Sequence, residues 1–256
     1  MFSAVEIAAA FGGGILGAAI GALPAFIMAG VLVLANMTDL AFGPYFGPHI
    51  AFAGGVAATA FAGKRGLEAG NNILMPLAKF NDGYILLVGG IFGAAGLVVQ
   101  KLLAGMGTPT DTVALTVALS GIIARLVFGN GKLFGGYAMP DSRTVVFLIV
   151  LGLGVGLISG YASLVTKNAV IGFGVAATTL IFLQFMGVGP VTHHLALPAA
   201  LAAMATGSIW AGGLFGVLGA LLGDFFGKTM NSGDTHVDPP ALTIALLTLI
   251  VTLFMS

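Results

Sequence analysis

The chain has 256 residues, of which 58% are hydrophobic and 7% charged, where an ordinary soluble domain carries about 25% charged residues. Nothing in that balance could cover a water-soluble globule, so an integral membrane protein, most simply of a cytoplasmic (inner) membrane, is expected. Basic and acidic side chains number nine each, which leaves no nucleic-acid footprint, and the lack of cysteine removes disulfides, thiolate metal sites and cysteine nucleophiles.

The membrane elements read as α-helices. Runs such as IAAAFGGGILGAAIGAL do not alternate as barrel strands must, and lipid offers no partner to an unpaired backbone amide. The forty-one glycines suit helix backbones in close approach. The N-terminus lacks the basic region of a cleavable signal and reads as the start of the first helix. In chain order, helices are expected at 4–22 and 24–38, then a short one at His49–Ala62 after a Gly/Pro-rich entry. An insertion at about 64–84 follows, then a helix at 84–104 carrying GGIFGAAG and one at 112–128 after Asp111. After a linker at 130–144 the series recurs at 145–165, 169–186, His193–Thr206, 209–227 and 239–255.

That recurrence has a sequence signature. TPTDTVALTVAL (108–119) and THVDPPALTIAL (235–246) agree at seven of twelve positions, and GGIFGAAG (89–96) and GGLFGVLG (212–219) at five of eight. The fold expected is therefore an all-α polytopic bundle of about ten helices in two degenerate five-helix repeats, 1–129 and 145–256; eight spans plus two re-entrant helices is the alternative. An odd helix number inverts one repeat relative to the other. Lysine and arginine fit this: Lys64, Arg65, Lys79, Arg125, Lys132, Arg143 and Lys228 fall on one side, Lys101 and Lys167 on the other. On that count Arg125 is an anchor at the cytosolic surface.

Two groups of residues could carry chemistry. Sliding the halves by 144 positions superposes His49 on His193, each opening a small-residue helix, where a neutral imidazole could ligate or relay a proton. With His194 and Asp111 they form a candidate substrate pathway; a histidine hydrogen-bonded at a water interface is the plainer reading. The second group, Asp234, His236 and Asp238, has the ligand types of a divalent-cation or proton site, although Asp238 before two prolines, like Asp111, also reads as a helix cap. No phosphate loop, HExxH or GxSxG motif occurs.

The function expected is transport, by a secondary transporter or channel, of a small polar solute or cation between the duplicated halves. Two alternatives stand beside it: an ion-translocating or structural subunit of a larger complex, and a membrane metalloenzyme using the His/Asp site. No cofactor is required beyond an optional divalent cation. The partners expected are lipid, the solute, and a homo-oligomer or other membrane subunits packed on glycine-rich faces.

Overall fold

Side-chain caps open most of the long helices in the computed structural model, which describes residues 3–129 and 133–255. Helix α1 (Ala4–Ile20) begins with a capping box between Ser3 and Glu6 and ends at Gly21, whose φ of +98° lets α2 (Ala22–Leu34) leave at 118° to α1. A break was expected beside Pro24; glycine makes it three residues earlier, because Pro24 is tolerated in the first turn of α2. Short α3 (Thr38–Phe42) and a π-helical turn (Pro48–Phe52) lead into α4 (Ala53–Lys64), nearly all of it buried. The insertion is turns and one 3-10 segment (Leu77–Phe80), held by Arg65–Asp82 and Lys79–Glu68 ion pairs. Lys79 Nζ lies 2.7 Å from the Glu68 carboxylate and holds it below its ordinary pKa.

Asp82, Asp111, Asp141, Ser208 and Asp238 cap α5 (Gly83–Gly105), α6 (Thr112–Phe128), α7 (Ser142–Thr166), α11 (Ile209–Thr229) and α12 (Pro239–Phe254). Each accepts a backbone N–H of the first turn, worth about 1 kcal/mol per cap. Between α7 and α11 lie α8 (Ile171–Thr178), α9 (Ile181–Met186) and α10 (His193–Thr206). The expected helix 169–186 is thus divided, at Thr179 and Leu180. Among the described residues there is no strand.

Glycine sets the closest packing. On the α1–α5 seam, Gly14 abuts Gly89 and Gly93; on the α7–α11 seam, Gly156 abuts Gly212 and Gly216, each so closely that a Cβ would strike backbone. The carbonyl of His49 sits on Gly96 of α5, and that of His194 on Gly219 of α11. Helices α2 and α8 cross antiparallel, Gly30 against Ala177 and Thr178, Gly174 against Val33 and Leu34. Helices α6 and α12 also run antiparallel: the Asp111 amide donates to Thr248 Oγ1 (3.0 Å) while Gly121 lies against Val237 and Asp238.

The chain's direction follows from its polar contacts. Arg65 pairs with Asp82 at the start of α5, Lys64 donates to the Val127 carbonyl at the end of α6, and Arg125 bonds the loop after α11. Those segments share one end of the molecule, as does the start of α7, where Tyr137 stacks near Lys228. At the other end Lys101, late in α5, pairs with Glu6 at the start of α1 (2.5 Å). Helices α5 and α11 therefore run in opposite directions. The described residues of the larger basic group, Lys64, Arg65, Lys79, Arg125, Arg143 and Lys228, belong to the first end; Lys132 lies outside the described residues. Helix α2 starts and α4 finishes at that end, whereas α8 starts and α10 finishes at the other.

Three helices, α5, α7 and α11, are long and apolar enough to cross a membrane, and the bent α1–α2 pair adds one more if counted as a single span. Ten full-length spans are not present among the described residues: α4 and α10, at 12 and 14 residues, reach only about 18 and 21 Å.

Candidate functional site

A cavity of about 780 Å³ lies between helices from the first and second parts of the chain, and α10 and the loop before α12 bring His193, His194, His236 and Asp238 to its wall. His193 and His194 open α10, after the Gly189–Pro190 turn has carried the chain back into the interior. Adjacent helical residues ordinarily diverge. Here the ring centroids are 5.7 Å apart, because both residues belong to the first turn and both rings face the same hollow. Gly223 of α11 leaves the room that the His194 ring occupies, and a Cβ there would strike its Nε2.

Phe26 and Phe52 complete the wall, with Phe173 packed behind Phe26. Phe26 stands 4.6 Å from the His193 ring, 5.5 Å from Phe52 and 5.6 Å from Phe173; Phe52 is 6.0 Å from His236. Sequence reasoning missed these phenylalanines, since nineteen occur in the chain and nothing local marks these three. Their signal is positional: Phe26 lies one turn past the Gly21 break, which aims α2 at the centre.

His236 Nε2 lies 3.1 Å from Asp238 Oδ1, while Asp238 Oδ2 accepts from the Ala241 amide at 2.8 Å. Asp238 is thus cap and cavity group at once, and the Val237 amide, bonded to Asn231 Oδ1, pins the loop in this pose (3.0 Å). The expected grouping of Asp234 with His236 and Asp238 does not form. Asp234 is exposed, and its charge acts on Arg125, on the other side of the loop. A strand-like loop turns alternate side chains to one face, but Thr235 is drawn down by Arg125, and the bend separates Asp234 from the other two. Among the described residues no three His, Asp or Glu side chains come together as metal ligands.

Arg125 itself is buried, 1% exposed, and is no surface anchor. Its guanidinium donates to the carbonyls of Met230 and Thr235, and its Nε to Thr235 Oγ1 at 3.0 Å, with Gly233 packed against it. It fastens the end of α6 to the loop that carries His236.

A second, narrower cavity of about 150 Å³ adjoins the first, sharing Phe26, His193 and Asp238 with it, and reaches Asp111. His193 is 5% exposed and its Nδ1 has no hydrogen-bond partner; the same holds for Nδ1 of His49 and His194. His49 lines neither cavity. Its ring folds back over Gly47 inside the π-helical turn, so the expected pairing with His193 across a pathway is not formed. Of the sequence candidates, His193, His194, His236, Asp238 and Asp111 thus share connected space, and His49 and Asp234 do not.

One family model, described as a family of unknown function (DUF7973), matches residues 35–141 and again 139–256. No curated protein and no solved structure matches the chain.

Proposed function

We propose that this chain, which belongs to DUF7973, a family of unknown function, is a membrane transport protein whose two inverted halves enclose a pathway for a small polar solute or cation. The observation that carries the reading is the position of the cavities. Residues equivalent by the sequence repeat, Asp111 and Asp238, Ala114 and Ala241, Val117 and Ile244, line the narrower cavity in pairs, as a space on a twofold axis would be lined. The contacts around it are reciprocal in the same way. Gly30 meets Ala177 while Gly174 meets Val33, and Asp111 meets Thr248 while Asp238 meets Gly121. That equivalent helices cross antiparallel supports inverted, not parallel, halves, and the match of one family model to both supports the duplication itself.

Six helices, α1, α5, α6, α7, α11 and α12, run 16 to 25 residues, near or above bilayer thickness with modest tilt or thinning. Helices α2 and α4 enter from the basic end and return to it, and α8 with α10 do so from the other. This reading replaces ten full spans with six spans and two opposed re-entrant pairs whose tips meet at the cavities. Broken helices meeting at mid-depth are where transporters of inverted design hold their cargo. Ionisable groups are costly in a bilayer interior, so His193, His236 and two aspartates gathered there support a pathway over a scaffold.

The test is solute-driven reswelling of vesicles containing the purified protein after hyperosmotic shock with urea, glycerol or methylammonium chloride. At least one solute is expected to enter faster than into protein-free vesicles, and Val191→Trp, at the cavity wall, to abolish the difference. Entry equal to that of empty vesicles for every solute would end the transport reading.

A further inference from the structure

We infer that the narrower cavity is a slot for a linear alkyl diamine, an organic dication with a charge at each end and methylenes between; the inference deepens the transport reading above and rests on it for location only. Asp111 and Asp238 both line this cavity, and the antiparallel packing of α6 on α12 sets them at opposite ends of that helix contact. The Asp111 amide bonds Thr248, ten residues along α12 from Asp238, and Gly121, ten residues along α6 from Asp111, lies against Asp238. Ten residues of either helix separate the two aspartates by about 15 Å along the helix axis.

Between them the wall is apolar. Val113, Val117 and Ile244 supply aliphatic surface, and Phe26 and Phe173 supply ring faces. No lysine or arginine is among the described lining residues, so two carboxylates face a cavity whose only other ionisable group is His193. Asp111 spends one oxygen on the Ala114 amide at 2.8 Å and has lone pairs left over; Asp238 keeps some as well, beside its bonds to His236 and Ala241. Buried carboxylate charge without a counter-ion is unfavourable, so such a slot favours a cationic occupant. His193, 5% exposed, lies on the wall of both cavities with Nδ1 unpartnered, and a ring that no internal bond holds can turn a nitrogen to an ammonium donor.

The chemistry of the wall selects among cations. A divalent metal needs about six oxygen ligands around one point, and the carboxylates are too far apart to share an ion. An ammonium group needs one carboxylate and tolerates aromatic faces, to which it is attracted. A chain with an ammonium at each end meets both carboxylates at once while its methylenes lie on valine and phenylalanine. A monoamine meets only one.

The experiment is calorimetric titration of the purified protein in lipid nanodiscs with hexamethylenediamine and with hexylamine. The diamine is expected to bind about tenfold more tightly or better, roughly the worth of one further charge-assisted contact. Asp111→Asn and Asp238→Asn each reduce the diamine to the level of the monoamine. Asparagine caps a helix as well as aspartate does, so the variants keep the fold and lose only charge; should Asp238→Asn not fold, Asp111→Asn decides alone. Equal affinity of the two amines, diamine binding untouched by Asp111→Asn, or displacement of the diamine by potassium or magnesium chloride would each overturn the proposal. Diamine binding without vesicle flux would sink the transport reading and leave this one standing; flux of other solutes with no diamine binding would do the reverse.

Discussion

Arg125 is the residue whose sequence context misleads most. Three positions from a helix end and beside apolar neighbours, it has the pattern of a basic side chain extending to a membrane surface. Its surroundings come from a segment more than a hundred residues away, and local sequence carries no trace of the Met230 and Thr235 carbonyls that hold it. Asp111 and Asp238 are the opposite case: capping is a local event between a side chain and its own helix, so both were legible, down to the proline after Asp238. The difference predicts the cost of substitution. Arg125→Met leaves two buried carbonyls and a hydroxyl without donors and should destabilise by about 3 kcal/mol, read as a lowered melting temperature in detergent. Arg125→Lys should recover little, since one ammonium cannot fork between two carbonyls and a hydroxyl as the guanidinium does. A lysine variant melting with the wild type would show that charge alone matters and that the clamp geometry does not.

At the scale of elements, the glycine blocks separate what periodicity can locate from what it cannot. GGxFGxxG marks α5 and α11 in the sequence, but which face of each block meets which helix depends on packing. The contacts set Gly14 and Gly156 in equivalent places, two positions away from the slide of 144, which puts Gly12 on Gly156, and make His194 the counterpart of His49 through Gly96 and Gly219. Identity at scattered glycines is too weak to set register where one half carries a π-helical turn before α4 and the other enters α10 directly. Of the helix breaks, the one at Gly21 was legible to within three residues, because the stretch around it is too long for one span and too short for two, whereas the α8–α9 division falls inside a stretch of ordinary span length and left no signal. The seams make a paired prediction. Gly216→Val drives a branched side chain into the Gly152 carbonyl and Gly156 Cα of α7 and should cost about 2 kcal/mol or more, whereas Gly154→Ala, which faces open space on the same helix, should be neutral or gain up to about 1 kcal/mol of helix propensity. Thermal unfolding of both in one detergent checks this, and equal melting of the two would mean that the α7–α11 seam is not close-packed.

For the whole molecule, lysine and arginine positions held more information than hydropathy did. Hydropathy suggested ten apolar stretches without separating the long helices from the short ones, since α4 and α10 are only somewhat less apolar than their neighbours and differ mainly in length and in burial. The charges, by contrast, divided in sequence into two groups whose described members lie at the two ends of the molecule. On the inverted reading proposed above, the excess of positive charge makes the basic end the cytosolic one, and equivalent points in the two halves lie on opposite faces of the membrane. Gly105, at the end of α5, has open space around it and stands at the sparsely charged end; Ser232, just past the end of α11, is exposed at the basic end. The chain holds no cysteine, so Gly105→Cys and Ser232→Cys each create one unambiguous label site. A membrane-impermeant maleimide added to intact cells should label Gly105→Cys, and should label Ser232→Cys only after the membrane is opened. Labelling of both from outside, or of neither until lysis, would mean parallel halves, and the antiparallel crossing of α6 with α12 would then no longer correspond to an axis lying in the membrane plane.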